Sequence, residues 1–138
     1  MVSLARKAQL QYQATHNQQS VDKICRAAAK IIYDNAEVLA REAVDETGMG
    51  VYEDKVSKNK GKAKGVWYNL RDKKSIGIIN IEERTGMIEI AKPMGVVGAV
   101  TPTTNPIVTP MSNIIFALKT CNAILIPVQR IVLHMPFA

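Results

Sequence analysis

Cysteine is scarce in this sequence. Only Cys25 and Cys121 occur among 138 residues. They stand far apart and match no metal-binding spacing, so they read as free thiols. Both fall on stretches with helical patterning that read as buried. Free thiols fit a reducing, cytoplasmic setting. Long apolar runs are also missing: none approaches the ~20 residues that span a bilayer. The opening MVSLARKAQLQYQ has no apolar segment of the secretory kind. The expectation is therefore no membrane partner. Internal repeats and low-complexity tracts are absent, and no residues form a Ser-His-Asp set or a metal site.

What is present is a balance of 47% hydrophobic and 22% charged residues, which is that of a globular chain of one domain. The net charge of +6 is uneven. Eight Lys or Arg and a single acid, Asp72, lie between Lys55 and Lys74. This segment alone carries the positive balance. A solvated helix face explains it, and a nucleic-acid-binding module is the alternative.

Helical periodicity opens the chain. Residues 3–14 place Leu4, Ala8 and Tyr12 on one face. Ser20 reads as an N-cap, followed by a stripe of Val21, Ile24, Cys25, Ala28, Ile31 and Ile32. Asn35 can cap a third helix running to about Thr47, with Val38, Leu39 and Ala43 inward and Glu37 paired with Arg41. Gly48 reads as its left-handed stop. A fourth helical block covers about 51–72. The period then changes to two. Residues 75–81 and 87–90 flank the turn Glu83-Arg84-Thr85-Gly86 and make a hairpin.

Residues 94–126, MGVVGAVTPTTNPIVTPMSNIIFALKTCNAILI, read as strand, loop, helix and strand. Consecutive apolar residues at 96–100 suit a strand covered on both faces. The whole order predicts an α/β fold: N-terminal helices, a β-hairpin, then a β-α-β unit. In such folds ligands sit at the carboxyl ends of strands. There Pro102 and Pro106 stiffen a loop bearing Thr101, Thr103, Thr104 and Asn105. Its hydroxyls and amide, with the helix start behind it, suit an anion or a developing oxyanion. The same residues are also ordinary strand-to-helix punctuation.

The run GVVGAVTPTTNP, with ALKTCNAILI after it and AVDETGMGVYEDKVSKN, KSIGII and EIAKPMGVVGA before it, resembles the CoA-acylating branch of the aldehyde dehydrogenase superfamily. The resemblance covers about residues 4–126. It implies an incomplete Rossmann-type NAD(P)-binding domain over 1–126, with 75–91 as an oligomerisation hairpin. By the same resemblance Asn105 matches the asparagine of the oxyanion hole. Thr101, Pro102, Thr103 and Thr104 match the loop along the dinucleotide, NAD or NADP. Coenzyme A would be co-substrate, a small aldehyde the substrate, and homo-oligomers the assembly. Neither cysteine matches the family nucleophile, which lies in a downstream thiol domain. This implies a chain inactive on its own.

The match stops at 127. Residues 127–138, PVQRIVLHMPFA, depart from the family's Pro-rich turn. A shifted reading frame accounts for such a tail, and the neighbouring DNA sequence tests it. Lone His134 has no assigned role. A non-catalytic assembly or regulatory partner of full-length subunits remains a second function alongside the first.

Overall fold

The computed structural model describes residues 1–127; the divergent tail, His134 included, lies outside the described residues from 128 onward. Four helices come first: α1 Val2–Thr15, α2 Gln18–Asp34, α3 Ala36–Thr47 and α4 Tyr52–Leu70. A hairpin follows, β1 Gly77–Glu82 with β2 Met87–Ala91, then β3 Val96–Gly98, α5 Val108–Lys119 and β4 Ala123–Leu125. The predicted order of helices, hairpin and β-α-β unit is the observed one. Strands β1 and β2 pair antiparallel, and β3 and β4 pair parallel, as two separate two-stranded sheets.

The core lies where α2, α4 and α5 meet. Val21, Cys25 and Ala29 of α2 pack with Ala63 of α4, Met111 and Ile115 of α5, and Cys121. The i, i+4 spacing of Val21, Cys25 and Ala29 explains the choice, since those positions share one helix face. Ile31, expected on this face, is 59% exposed. Small residues also decide how α3 sits on α4. Ala36, Ala40 and Ala43 are buried, whereas Val38, expected inward, is exposed. Asn59 of α4 donates from Nδ2 to the Ala36 carbonyl at 3.2 Å and fixes the two helices in register.

Helix α1 departs furthest from its pattern. Leu4 and Ala8 face outward, and Gln9 is buried instead. Its Nε2 donates to the Cys121 carbonyl at 2.8 Å, and its Oε1 accepts from Arg6. A buried amide so paired escapes the cost of an unsatisfied polar group. Near by, Gly95 adopts φ +114, and a Cβ there would collide with the Arg6 guanidinium. Asn122 accepts from the Gly95 N–H at 2.7 Å, tying the entry of β3 to the start of β4.

Caps differ from expectation at two helices. Asn17, not Ser20, caps α2; its side chain accepts from the Ser20 N–H while the Ser20 hydroxyl accepts from the Asn17 N–H, each at 3.0 Å. The reciprocal bond needs both residues three apart. Asn35 makes no side-chain cap for α3; its amide donates back to Ile31. Gly48 does stop α3, with φ +63 and its N–H on the Val44 carbonyl. Glu37 pairs with Lys60 of α4, not with Arg41, whose guanidinium lies 4.0 Å from the Tyr52 ring centroid. No helix among the described residues is long and apolar enough to cross a membrane.

Candidate functional site

Strand β3 ends at Gly98, and α5 begins only at Val108, so nine residues make the connection. The strand is not covered on both faces as expected: Val96 and Val97 are half-buried and Val100 is 78% exposed. Thr101 is buried at the loop's root. Turns follow at 103–104 and 106–107. Pro110 occupies the third position of α5, where a missing N–H costs no helical bond.

The loop faces two ways. Thr101, Pro102 and Thr103 line an open cavity of about 400 Å³ at the carboxyl ends of β3 and β4, with Thr47 of α3, Pro110 of α5 and Ile126 opposite. Thr104 and Asn105 turn instead toward α4 and border a small depression there. The structure thus keeps the five candidate residues on one loop but divides them between two surfaces. Pro106 borders both.

Two lysines hold the second surface. Lys55 donates from Nζ to the Thr104 carbonyl at 3.3 Å. Lys58 donates from Nζ to Asn105 Oδ1 at 2.8 Å. The Asn105 Nδ2 donates one hydrogen to Thr104 Oγ1 at 3.3 Å, and its second hydrogen has no partner among the described residues. A side-chain donor braced on a Pro-bounded loop is a chemical arrangement able to receive a developing negative charge.

The charge pattern alone puts these lysines on a solvated basic face. Their i, i+3 spacing was the available signal, because it places both on one side of α4. Other basic residues of the segment are also engaged: Lys60 with Glu37, and Lys64 and Arg71 over the Tyr68 ring.

Neither thiol belongs to the site. Cys25 is wholly buried on α2 with its thiol toward the Ile115 carbonyl, and burial pushes it up to about 11. Cys121 is buried too, and burial raises it. It follows α5 and does not lie in a helix: its φ is +55, a left-handed conformation uncommon for a side-chain-bearing residue. A thiol with a raised pKa and no access to solvent is a poor nucleophile. Among the described residues no cluster of His, Cys, Asp or Glu could hold a metal.

Comparison with known proteins bears on the whole chain. The model of the "Aldehyde dehydrogenase family" matches residues 1–130. A succinate-semialdehyde dehydrogenase (acetylating) of Clostridium kluyveri is 47% identical over 126 residues, which are 91% of this chain and 28% of that protein. An acetylating aldehyde dehydrogenase of Geobacillus thermoglucosidasius superposes with a TM-score of 0.86 at 37% identity, over 91% of this chain and 27% of that one. Two further structures carry ligands: an engineered glycolyl-CoA reductase with bound NADP+ and a Rhodopseudomonas palustris propionaldehyde dehydrogenase with bound propionyl-CoA. Each is 32% identical with a TM-score of 0.71 over 91% of this chain, covering 28% and 27% of those chains. This chain spans little more than a quarter of the length of these relatives.

Proposed function

This chain belongs to the aldehyde dehydrogenase family, and on that premise we propose that it is the part of an NAD(P)-dependent, CoA-acylating aldehyde dehydrogenase that supplies an oxyanion donor and a cofactor-facing loop. Residues 1–126 form the N-terminal part of the NAD(P)-binding domain. The observation that carries the reading is Asn105, a side-chain amide with a spare hydrogen on a rigid loop beyond a parallel strand, in a chain 47% identical to an acetylating aldehyde dehydrogenase.

The reaction joins an aldehyde to coenzyme A with loss of hydride. A thiolate, supplied from outside this chain, attacks the aldehyde carbon, and the carbonyl oxygen gains negative charge. Asn105 Nδ2 donates its second hydrogen to that oxygen. One well-placed donor of this kind is worth about 2.7–4 kcal/mol in barrier height. A bound dinucleotide would supply the hydride acceptor, and coenzyme A would supply the thiol that takes the acyl group as the thiolate leaves. The cavity beside Thr101, Pro102 and Thr103 suits part of a dinucleotide: it combines hydroxyls with the flat apolar faces of Pro102 and Pro110. Thr104 holds the loop from its other side.

With both of its thiols buried and neither poised as a thiolate, the chain alone does not oxidise aldehydes. Its setting is the cytoplasm, in keeping with free thiols. Titration of the 138-residue chain with NAD+ and NADP+ under NMR tests the cofactor side. The expected result is shifts centred on the Thr101 and Thr103 amides, which border the cavity. Shifts elsewhere, or none at millimolar dinucleotide, contradict the reading.

A second reading has its own observation. Ile78, Ile81, Met87, Ile88 and Ile90 of the hairpin are each more than half exposed. The hairpin strands pair with each other and pack substantially on no other element among the described residues. Two open edges and apolar faces favour addition to another subunit. In this reading the chain is an assembly or regulatory partner of full-length subunits. Co-purification with full-length enzyme, lost when Ile81 and Ile88 become Lys, tests it.

A further inference from the structure

The amide of Asn105 can serve an oxyanion only in one of its two orientations. Rotated by a half turn, it would present Oδ1, a repulsive acceptor, where Nδ2–H is needed. The two ends differ little in size, so shape alone does not choose between them. The Thr104 hydroxyl does not choose either, because a hydroxyl both donates and accepts. Lys58 does. An ammonium has three donors and no acceptor, so its only partner on the amide is Oδ1. The 2.8 Å bond from Lys58 Nζ therefore fixes which end faces away from α4.

We propose that Lys58 is a positioning residue that locks the orientation of the Asn105 amide and polarises it toward donation. This rests on the oxyanion reading of Asn105. The bond draws charge onto Oδ1 and makes the Nδ2 hydrogens better donors, as in any chain of hydrogen bonds. The geometry is braced at both ends. Lys55, one turn earlier on α4, holds the neighbouring carbonyl of Thr104 at 3.3 Å. Asn59, the residue after Lys58, is buried and bonded to α3 through the Ala36 carbonyl. Pro106 restricts the backbone of Asn105. The catalytic loop and the basic helix are thus one device, and Lys58 belongs to its working face although it never touches the reacting carbonyl.

The test reads Asn105 itself in the full 138-residue chain. The side-chain 1H–15N resonances of Asn105, and the NOEs from its two Nδ2 hydrogens to Thr104 and to α4, are measured in the unsubstituted chain, in Lys58→Arg and in Lys58→Met. A charge-assisted bond of this kind biases the side chain by about tenfold or more. Lys58→Met should therefore lower the ratio of the orientation with Oδ1 toward α4 to its flipped form by about tenfold and move the Nδ2 resonance. Lys58→Arg, which keeps a donor-only cation, should restore both. Backbone signals of Val21 and Ile115 report that the core is intact in all three. An Asn105 side chain with unchanged amide orientation and resonance in Lys58→Met overturns the proposal. So does a Lys58→Arg chain whose Asn105 behaves as in Lys58→Met. The dinucleotide titration reads Thr101 and Thr103 at the cavity, so failure there and failure here are separable.

Discussion

Cys25 is wholly enclosed between α2 and α5, and its thiol is raised from 9.0 to about 11. Burial is the main cause; Lys119 opposes it, while Asp22 and Cys121 add to it. The consequence for stability has a definite sign. The folded thiol holds its proton more tightly than the unfolded one. Its contribution is fully present below pH 9 and is lost as pH rises from 9 to about 11. Two pH units correspond to about 2–3 kcal/mol. The perturbation is alkaline titration of the chain beside Cys25→Ala. Urea unfolding at steps from pH 8 to 11 gives the free energy of each. The alanine variant starts weaker, because it leaves a small void. Its deficit should shrink by about 2–3 kcal/mol by pH 11, since it has no thiol to ionise. A deficit constant across that range would mean that the buried thiol does not hold its proton more tightly in the folded chain. The same shift leaves about one-hundredth of the ordinary thiolate population at pH 8, so reaction with a disulfide reagent should be at least about 100-fold slower than for an exposed cysteine.

Two further outcomes follow from buried contacts. Lys119 is 2% exposed and paired with Asp22; Asp22→Asn strands a buried cation and should cost about 3 kcal/mol, measured as a fall in the urea midpoint. Cys121 sits at φ +55; Cys121→Val should lower stability by about 2 kcal/mol because a β-branched residue resists the left-handed region, whereas Cys121→Gly should be close to neutral, relieving backbone strain while losing a small buried group.

The elements that repeat a strict local rule could be read in advance. The α2 stripe, the Gly48 stop, the hairpin and the β3–α5–β4 order all depend on spacings within one element or turn. What escaped depends on partners distant in sequence. Gln9 goes inside because the Cys121 carbonyl, 112 residues away, accepts its hydrogen bond. Lys119 is buried because Asp22 meets it across the α2–α5 contact. Ala40 replaces Val38 at the α3–α4 interface because close helix approach selects small side chains. At the loop, composition pointed to Thr101, Pro102, Thr103, Thr104 and Asn105, and the structure keeps them together. It did not reveal that Asn105 turns away from the cavity lined by the first three, nor that Lys55 and Lys58 of the basic segment hold the loop. Both depend on how α4 lies beside α5 and the loop before it, which no local pattern encodes.

In the proposed function this chain contributes an oxyanion donor and a cofactor-facing loop but no competent thiolate. The most direct measurement is NAD(P)H formation by the purified 138-residue chain supplied with acetaldehyde or succinate semialdehyde, coenzyme A and NAD+ or NADP+. No formation above the rate without protein is expected. Sustained formation of NAD(P)H that depends on both the aldehyde and coenzyme A would contradict it.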